Sequence, residues 1–351
     1  MSDFLLDALT QAKALLFSAN DTLDLGATLQ NADISITTSG LTTVLSSHAG
    51  SYSFDSNAFA SASQAGQIHA ADGMHVIAGT DSADHLLGTA GHDMIWGLGG
   101  DDWIGGNGGN DFMYGGSGSD TIVGGAGNEH LYGYGATGGN DGADNISGGG
   151  GMDYLQGNAG NDTLDGGDGN DRINGGADND LISGGAGNDS VNGNFGSDTI
   201  DGGAGSDTLR GGKGDDVIQG GDGNDTIMGD LGGDTLTGGA GADTFSFHGN
   251  DAAVVSLDLL TGHVDTITDF THGTDHIALG FTPGAVHDLS ALTLLGAVTG
   301  AVAALTGHSS DVVEATVGND TYLSYSSSNG AIADSVIKLQ DVHTLDVHDF
   351  V

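Results

Sequence analysis

Acidic side chains recur at every ninth residue through the middle of this chain, and that period constrains its fold more than any other feature. Counting from Asp84, the series runs Asp93, Asp102, Asp111, Asp120 and Glu129. After one irregular step of fifteen residues it resumes at Asp144 and continues through Asp153, Asp162, Asp171, Asp180, Asp189, Asp198, Asp207, Asp216, Asp225, Asp234 and Asp243. Five residues before each of these eighteen acids stands a glycine, from Gly79 to Gly238. Two residues after each stands an apolar residue, from Leu86 to Phe245. Three positions held in one register over that length mark a repeat array in which each unit packs only against its neighbours.

Each nonapeptide divides into a six-residue turn and a three-residue strand. In the turn Gly184-Gly-Ala-Gly-Asn-Asp189, glycine supplies positive φ and close backbone approach. In the strand Ser190-Val191-Asn192, one apolar side chain faces inward between two outward ones. Two turns and two strands make a coil, and stacked coils join the apolar side chains into a narrow core. The expected fold is all-β: a right-handed parallel β-roll, with a β cap at its C-terminal end and a small N-terminal segment. The step from Glu129 to Asp144 carries six extra residues, expected as a surface bulge at Gly133–Gly138, because a slipped register would expose the apolar stripe.

The flanks set the expected boundaries at 1–78, 79–247 and 248–351. Residues 1–17 place Phe4, Leu5, Leu9, Ala12, Leu15 and Leu16 near helical spacing, and 21–78 read as weak strands or coil. After His248, β-branched residues return, with strands expected at 264–270, 275–279, 320–326 and 335–340; this segment would cover an otherwise open coil end.

Forty-eight acids against five bases leave a net charge of −43, and the chain has 67 glycines, one proline and no cysteine. Such a charge keeps an unfolded chain open and soluble and makes cations its natural partners. Nucleic acid and anionic membranes are disfavoured as partners. No run approaches the ~18 apolar residues of a membrane span, and the first residues, with Asp3 and Asp7 and no basic stretch, do not read as a secretory signal.

The nonapeptide Gly-Gly-x-Gly-x-Asp-x-apolar-x resembles the calcium-binding repeat of the RTX proteins, over residues 79–246. That resemblance implies multiple Ca2+ ions between same-side turns two units apart, with the acids from Asp93 to Asp243 as side-chain ligands and loop carbonyls completing each shell. Calcium suits such a site, taking ~6–8 oxygens in irregular shells. Three departures bear on the sites: Glu129 has a longer arm, Ser82 and Asp178 replace a turn glycine, and the insertion interrupts two same-side pairings. Weak sites are therefore expected around 129–144 and at Asp84. Asp265-Thr-Ile-Thr-Asp-Phe270 with Gly273-Thr-Asp-His-Ile277 resembles the segment after the roll in secreted serralysin-type proteases. Gly318-Asn-Asp-Thr-Tyr-Leu-Ser324 with Val347-His-Asp-Phe-Val351 resembles the terminal targeting region of type I secretion substrates, which implies that machinery as a partner.

No Gly-x-Ser-x-Gly, His-Glu-x-x-His or Gly-Lys-Ser/Thr motif is present. His272 and His276 are four apart, but Gly273 between them disfavours a helix and hence a zinc pair. A non-enzymatic protein is expected, secreted and serving in a matrix, surface layer or adhesin through self-assembly, or alternatively binding an extracellular glycan. Ordering a Gly-rich backbone costs roughly 1–2 kcal/mol per residue, which one apolar side chain per nonapeptide does not offset. Calcium binding and folding are then expected to be one event.

Overall fold

The computed structural model describes residues 3–5, 22–24, 35–39, 42–47, 50–55, 68–69, 74–134, 141–247, 264–279, 286–290, 312–317, 319–325, 335–340, 342, 345 and 347–351. Two compact units divide the chain, Met1–Ile173 and Asn174–Val351. Each is a parallel β-solenoid, the β-roll that the period implies.

In the first unit, alternate nonapeptides go to opposite sheets. Asp93–Gly99, Phe112–Ser117, His130–Tyr134 and Tyr154–Ala159 pair in parallel on one side, and Trp103–Gly108, Thr121–Ala126, Asn145–Gly150 and Thr163–Asp168 on the other. Ser35–Ser39, Thr42–Ser47 and Gly50–Asp55 form a separate antiparallel sheet. Of the helix expected over 1–17, only Asp3–Leu5 is described, and it is a strand paired in parallel with Thr22–Asp24. Sheet pairing overrides a weak local helical preference there.

The second unit repeats the pattern. Ser190–Phe195, Thr208–Lys213, Thr226–Leu231 and Thr244–Ser246 stack in one sheet, and Leu181–Ala186, Thr199–Ala204, Val217–Asp222 and Thr235–Ala240 in the other. The coils do not stop at Ser246. Asp265–Ile267 pairs in parallel with Thr235–Ala240, and His276–Ala278 with Thr244–Ser246. Ser335–Leu339 then continues the first of these edges, and Asp320–Tyr325 and Val312–Val317 turn it antiparallel. This is the expected cap: Asp265–Ile267, His276–Ala278, Asp320–Tyr325 and Ser335–Leu339 lie within the ranges predicted, whereas Val286–Ser290 and Val312–Val317, paired with each other, were not predicted. The other edge is met by the chain's end, where Phe350 bridges Ile277.

Every apolar residue of the register is buried, from Leu86 through Ile173 and from Ile182 through Phe245. Their neighbours alternate outward, as in the exposed Thr163 and Asp165 beside Leu164. The strands run six residues rather than three, because parallel pairing continues through the small residues that follow, as at Gly185↔Gly203 and Ala186↔Ala204. In the first unit an outward column stacks Trp96 on Tyr114 at 5.7 Å and Tyr114 on Tyr132 at 4.9 Å, adding aromatic contact between coils.

The invariant glycine five residues before each acid has a steric cause. A Cβ on Gly115 would lie 2.2 Å from Asp120 Oδ2 and 2.4 Å from the Gly133 carbonyl oxygen. The glycine two before the acid is needed for its backbone: Gly109 has φ 116°, and a Cβ would meet the Gly91 carbonyl oxygen at 2.4 Å. Asp178 accepts the left-handed conformation at φ 75°, which Asp tolerates better than most residues.

The insertion sits later than expected. For Asp144 the glycine seat is filled by Gly133, whose added Cβ would lie 2.1 Å from Asp144 Oδ2. Tyr134 still pairs with Gly116, and the chain rejoins the coil at Asp141, bridged to Gly118. The extra residues are therefore 135–140, outside the described residues, and not 133–138.

These contacts predict opposite outcomes for two alanine substitutions. Gly115→Ala should raise the calcium concentration needed for folding and cost at least ~2 kcal/mol, as expected for overpacking against fixed atoms. Gly150, with open space around its Cβ direction and no positive φ, should accept Ala neutrally or with a gain of ~0.4–1 kcal/mol. Calcium-dependent unfolding curves of the two variants check this.

Candidate metal centre

Stacking the coils buries the register acids. Asp93, Asp102, Asp111, Asp120, Glu129, Asp144, Asp153, Asp162, Asp171, Asp180, Asp189, Asp198, Asp207, Asp216, Asp225, Asp234 and Asp243 are each at most 3 % exposed. A buried carboxylate needs hydrogen-bond donors or a cation, and the backbone supplies half of that need. The N–H of one acid donates to Oδ1 of the acid one coil on. In the first unit Asp84 N donates to Asp102, Asp93 to Asp111, Asp102 to Asp120, Asp120 to Asp144, Asp144 to Asp162 and Asp153 to Asp171, all at 2.8 Å. In the second, Asp180 N donates to Asp198 and Asp189 N to Asp207 at 2.8 Å, and Asp225 N to Asp243 at 2.9 Å.

Two further rungs were missed from the sequence. Asp234 N donates to Asp265 Oδ1 at 3.0 Å and Asp243 N to Asp275 Oδ1 at 3.1 Å. Both acids precede an apolar residue by two, Ile267 and Ile277, which was the available signal. The long connections hid it.

The other oxygen of each carboxylate is a different matter. Oδ2 of Asp102, Asp111, Asp120, Asp144, Asp153, Asp198, Asp207, Asp216, Asp225, Asp234 and Asp243 is buried and accepts no hydrogen bond. Each faces a side-chain-free glycine, five residues back in the regular turns and Gly133 for Asp144, and in most turns the glycine carbonyl of the next coil stands beside it. At Gly97, for instance, an added Cβ would lie 2.1 Å from Asp102 Oδ2 and 2.4 Å from Gly115 O. Carboxylate and carbonyl oxygens with no donor between them suit a hard cation. Among the described residues no three His, Cys, Asp or Glu side chains converge, so backbone oxygens must supply much of any shell. That donor set fits calcium and not zinc.

The first turns are built differently. Asp84 Oδ2 accepts from Thr80 N at 2.6 Å and Thr80 Oγ1 at 2.8 Å. Asp93, expected among the ligands, has Oδ2 bonded to Thr89 N at 2.6 Å and Thr89 Oγ1 at 3.1 Å, with His75 Nδ1 3.3 Å from Oδ1. Thr271 N serves Asp275 Oδ2 in the same way at 2.7 Å. In these three turns the N–H of the residue four before the acid donates to Oδ2, joined at Thr80 and Thr89 by the hydroxyl. The sequence displayed Thr80 and Thr89, but without geometry they carried no meaning.

A second ladder runs beside the first through the residue preceding each acid. Asn128 N donates to Asn110 Oδ1, Met152 N to Asn128 Oδ1 and Ser206 N to Asn188 Oδ1. The frequent Asn and Ser at that place are acceptors for the next coil. Asp141 was also missed: its Oδ1 is buried without a partner beside Asp120 and Asp162, where the insertion rejoins the coil.

Electrostatics reflect the crowding. Burial, opposed by the rung hydrogen bond and helped by neighbouring carboxylates, pushes Asp102, Asp144 and Asp216 up to about 8. Asp120, Asp234 and Asp243 rise to about 6, again chiefly through burial.

The family model described as "RTX calcium-binding nonapeptide repeat (4 copies)" matches overlapping stretches from residue 78 to 136 and from 138 to 251. The chain belongs to the RTX repeat proteins. Such repeats bind multiple Ca2+ ions, and in this RTX chain the orphaned Oδ2 atoms are the side-chain oxygens that fit them. The chain is also similar to a solved structure, the AlgE6R3 subunit from the Azotobacter vinelandii mannuronan C5-epimerase. The identity is 25%, covering 50% of this chain and 78% of that one, with a TM-score of 0.28. No curated protein matches the sequence. Among the described residues no helix is long and apolar enough to cross a membrane.

The raised carboxyls give the metal-free RTX fold a definite pH dependence. Their folded pKa values, about 6 to 8, exceed the ordinary ~3.9 of an unfolded Asp, so the folded state binds more protons in that window. The resulting stability is fully present below pH ~4 and is lost as pH rises through 6–8. In chelator, β signal by circular dichroism should therefore increase as pH falls from 8 to 5, with protons standing in for ions.

Proposed function

We propose that this is a secreted, non-catalytic RTX protein that stays unfolded where calcium is scarce and folds on extracellular calcium into a rigid structural or adhesive element. The observation that carries this reading is the row of buried, acceptor-only Oδ2 oxygens in both units. At neutral pH they oppose the fold unless a cation fills the turns, and calcium bound only by the folded state stabilises it by mass action. Extracellular calcium modules bind at about 10⁻⁴–10⁻³ M, so the transition falls outside resting cytosol. Asp102, Asp111, Asp120, Glu129, Asp144, Asp153, Asp162, Asp171, Asp180, Asp189, Asp198, Asp207, Asp216, Asp225, Asp234 and Asp243 would hold the ions with turn carbonyls. Asp93 leaves the set because Thr89 already serves it.

Export through a type I channel agrees with a chain that folds late. Asp349 and Phe350 are buried against the last coil, with Asp349 contacting His272 Nδ1 at 2.8 Å and Gly273 N at 3.1 Å. A channel reading this end would read it before the roll closes over it.

One groove favours a glycan-binding reading as the alternative. Asn192, Asn194, Phe195, Arg210, Lys213 and Leu231 line about 380 Å³ on the second unit, with Lys213 Nζ 4.6 Å over the Phe195 ring. Arg210 is already paired with Asp230 on the same wall, so Lys213 against the exposed Phe195 face is the base that the groove offers an acidic sugar.

Far-UV circular dichroism across a calcium titration at pH 7.5 should show a cooperative gain of β signal between about 10⁻⁴ and 10⁻³ M; full β signal in chelator would sink the proposal. Light scattering on calcium addition separates the roles. Growth into large assemblies supports the structural reading, and a monomer retained on an acidic polysaccharide supports the glycan reading.

A further inference from the structure

Glu129 is the one register acid that is not aspartate, and its place in the ladder differs in kind. Its own N–H donates to Asp153 Oδ1 at 2.7 Å, as a rung should. The rung before it is missing: Asp111 N makes no bond to Glu129, and neither Glu129 oxygen accepts a hydrogen bond. The side chain is nonetheless 0 % exposed. One extra methylene carries the carboxylate past the N–H that an aspartate would meet, so both oxygens remain without donors.

Those two oxygens lie beside the carbonyls of two different coils. Glu129 Oε2 lies 3.1 Å from the position of a Cβ on Gly124, with Gly148 O 2.4 Å from the same point. Glu129 Oε1 lies 2.5 Å from a Cβ position on Gly127, with Gly109 O closer still. The carboxylate also comes within hydrogen-bonding reach of Asp153's carboxyl, whose Oδ2 is itself buried without a partner. Two ordinary acids one coil apart, such as Asp102 and Asp120, offer two donor-free carboxylate oxygens between them; Glu129 and Asp153 offer three. Calcium affinity in oxygen sites rises with ligand charge and with bidentate carboxylates, and two buried carboxylates in contact are tolerated only when a cation or a proton lies between them.

We propose that Glu129, acting as a bidentate ligand beside Asp153, forms the tightest calcium position of the first unit, and that folding of that unit begins there. This reverses the sequence expectation of a weak site around 129–144, and it rests on the calcium-folding reading above. The departure from aspartate is a gain of ligand oxygen in the turn that precedes His130–Tyr134, the last strand before the six extra residues. An early ion at Glu129 would fix Gly124–Glu129 against Gly148–Asp153 and so set the register across the six extra residues.

Isothermal titration calorimetry with calcium alone, on the full chain, tests this alongside circular dichroism. Wild type should show a tight binding class ahead of the bulk transition. Glu129→Gln should abolish that class and raise the calcium midpoint of the first folding phase about tenfold, the loss expected on removing ligand charge. Glu129→Asp should restore the Asp111 rung yet also lose the tight class, while still folding at higher calcium. Asp216→Asn, in the second unit, should leave the tight class intact. A tight class that survives both Glu129 variants overturns the proposal, as does its loss in Asp216→Asn. So does a wild-type chain that folds on calcium with no tight class at all. A chain that does not fold on calcium overturns this proposal and the calcium-folding reading together.

Discussion

Most buried carboxylates of the register have two oxygens and one backbone donor, and the rest of the structure depends on that mismatch. The rung from the preceding coil satisfies Oδ1, as at Asp102 N to Asp120, and fixes the stacking register. Oδ2 is left facing a glycine and, in most turns, a carbonyl oxygen of the next coil. A neutral donor could fill that position, and where Thr80, Thr89 or Thr271 stands four residues before the acid, one does. These threonines sit in the first turns of the array and in the last, beside Asp275. Before Asp102, Asp111, Asp120, Asp153, Asp198, Asp207, Asp216, Asp225, Asp234 and Asp243 the same position takes glycine, asparagine, leucine or aspartate, and the oxygen waits for a cation. The array thus has ends that are satisfied by the chain itself and a middle that is not.

The steric and electrostatic roles of the repeat are inseparable. The glycine five residues before the acid is required because Oδ2 occupies the space of its missing Cβ, so the residue that permits the turn also shapes the gap for the ion. The buried apolar column and the outward aromatic stack Trp96–Tyr114–Tyr132 hold neighbouring coils together, but they do nothing for the orphaned oxygens a few ångströms away. Burial raises the carboxyl pKa values because the fold removes water before anything replaces it. Metal-free, the fold and the ionised carboxylates compete; with calcium they agree.

Much of this was legible in the sequence because the array is quasi-one-dimensional. A strict Gly–Asp–apolar register dictates parallel coils, an inward Leu/Ile/Val column and acids aligned in each turn, and the structure has all three. What was not legible involves contacts between coils. The period could not show that Asp265 and Asp275 continue the ladder, since 31- and 32-residue connections replace the usual 18. Nor could it place the insertion, because Gly133 and Gly139 both satisfy the sequence rule and only the approach to Asp144 Oδ2 selects Gly133. The role of Thr89 in saturating Asp93, and of Asn110 and Asn128 as acceptors, required knowing which N–H lies opposite. The sequence showed only that Glu129 has a longer arm; that the extra methylene carries its carboxylate off the rung and leaves both oxygens without donors needed the geometry.

Hydrogen exchange at the rung amides tests the central claim most directly, because those N–H groups belong to the same residues whose Oδ2 atoms need the ion. With millimolar calcium at neutral pH, the amides of Asp102, Asp120, Asp144, Asp198, Asp207 and Asp225 should be strongly protected, each unit opening as a cooperative block. In chelator at the same pH they should exchange at the rates of an unfolded chain. Strong protection of these amides without calcium would mean that the orphaned oxygens do not oppose the fold, and it would contradict the account at its root.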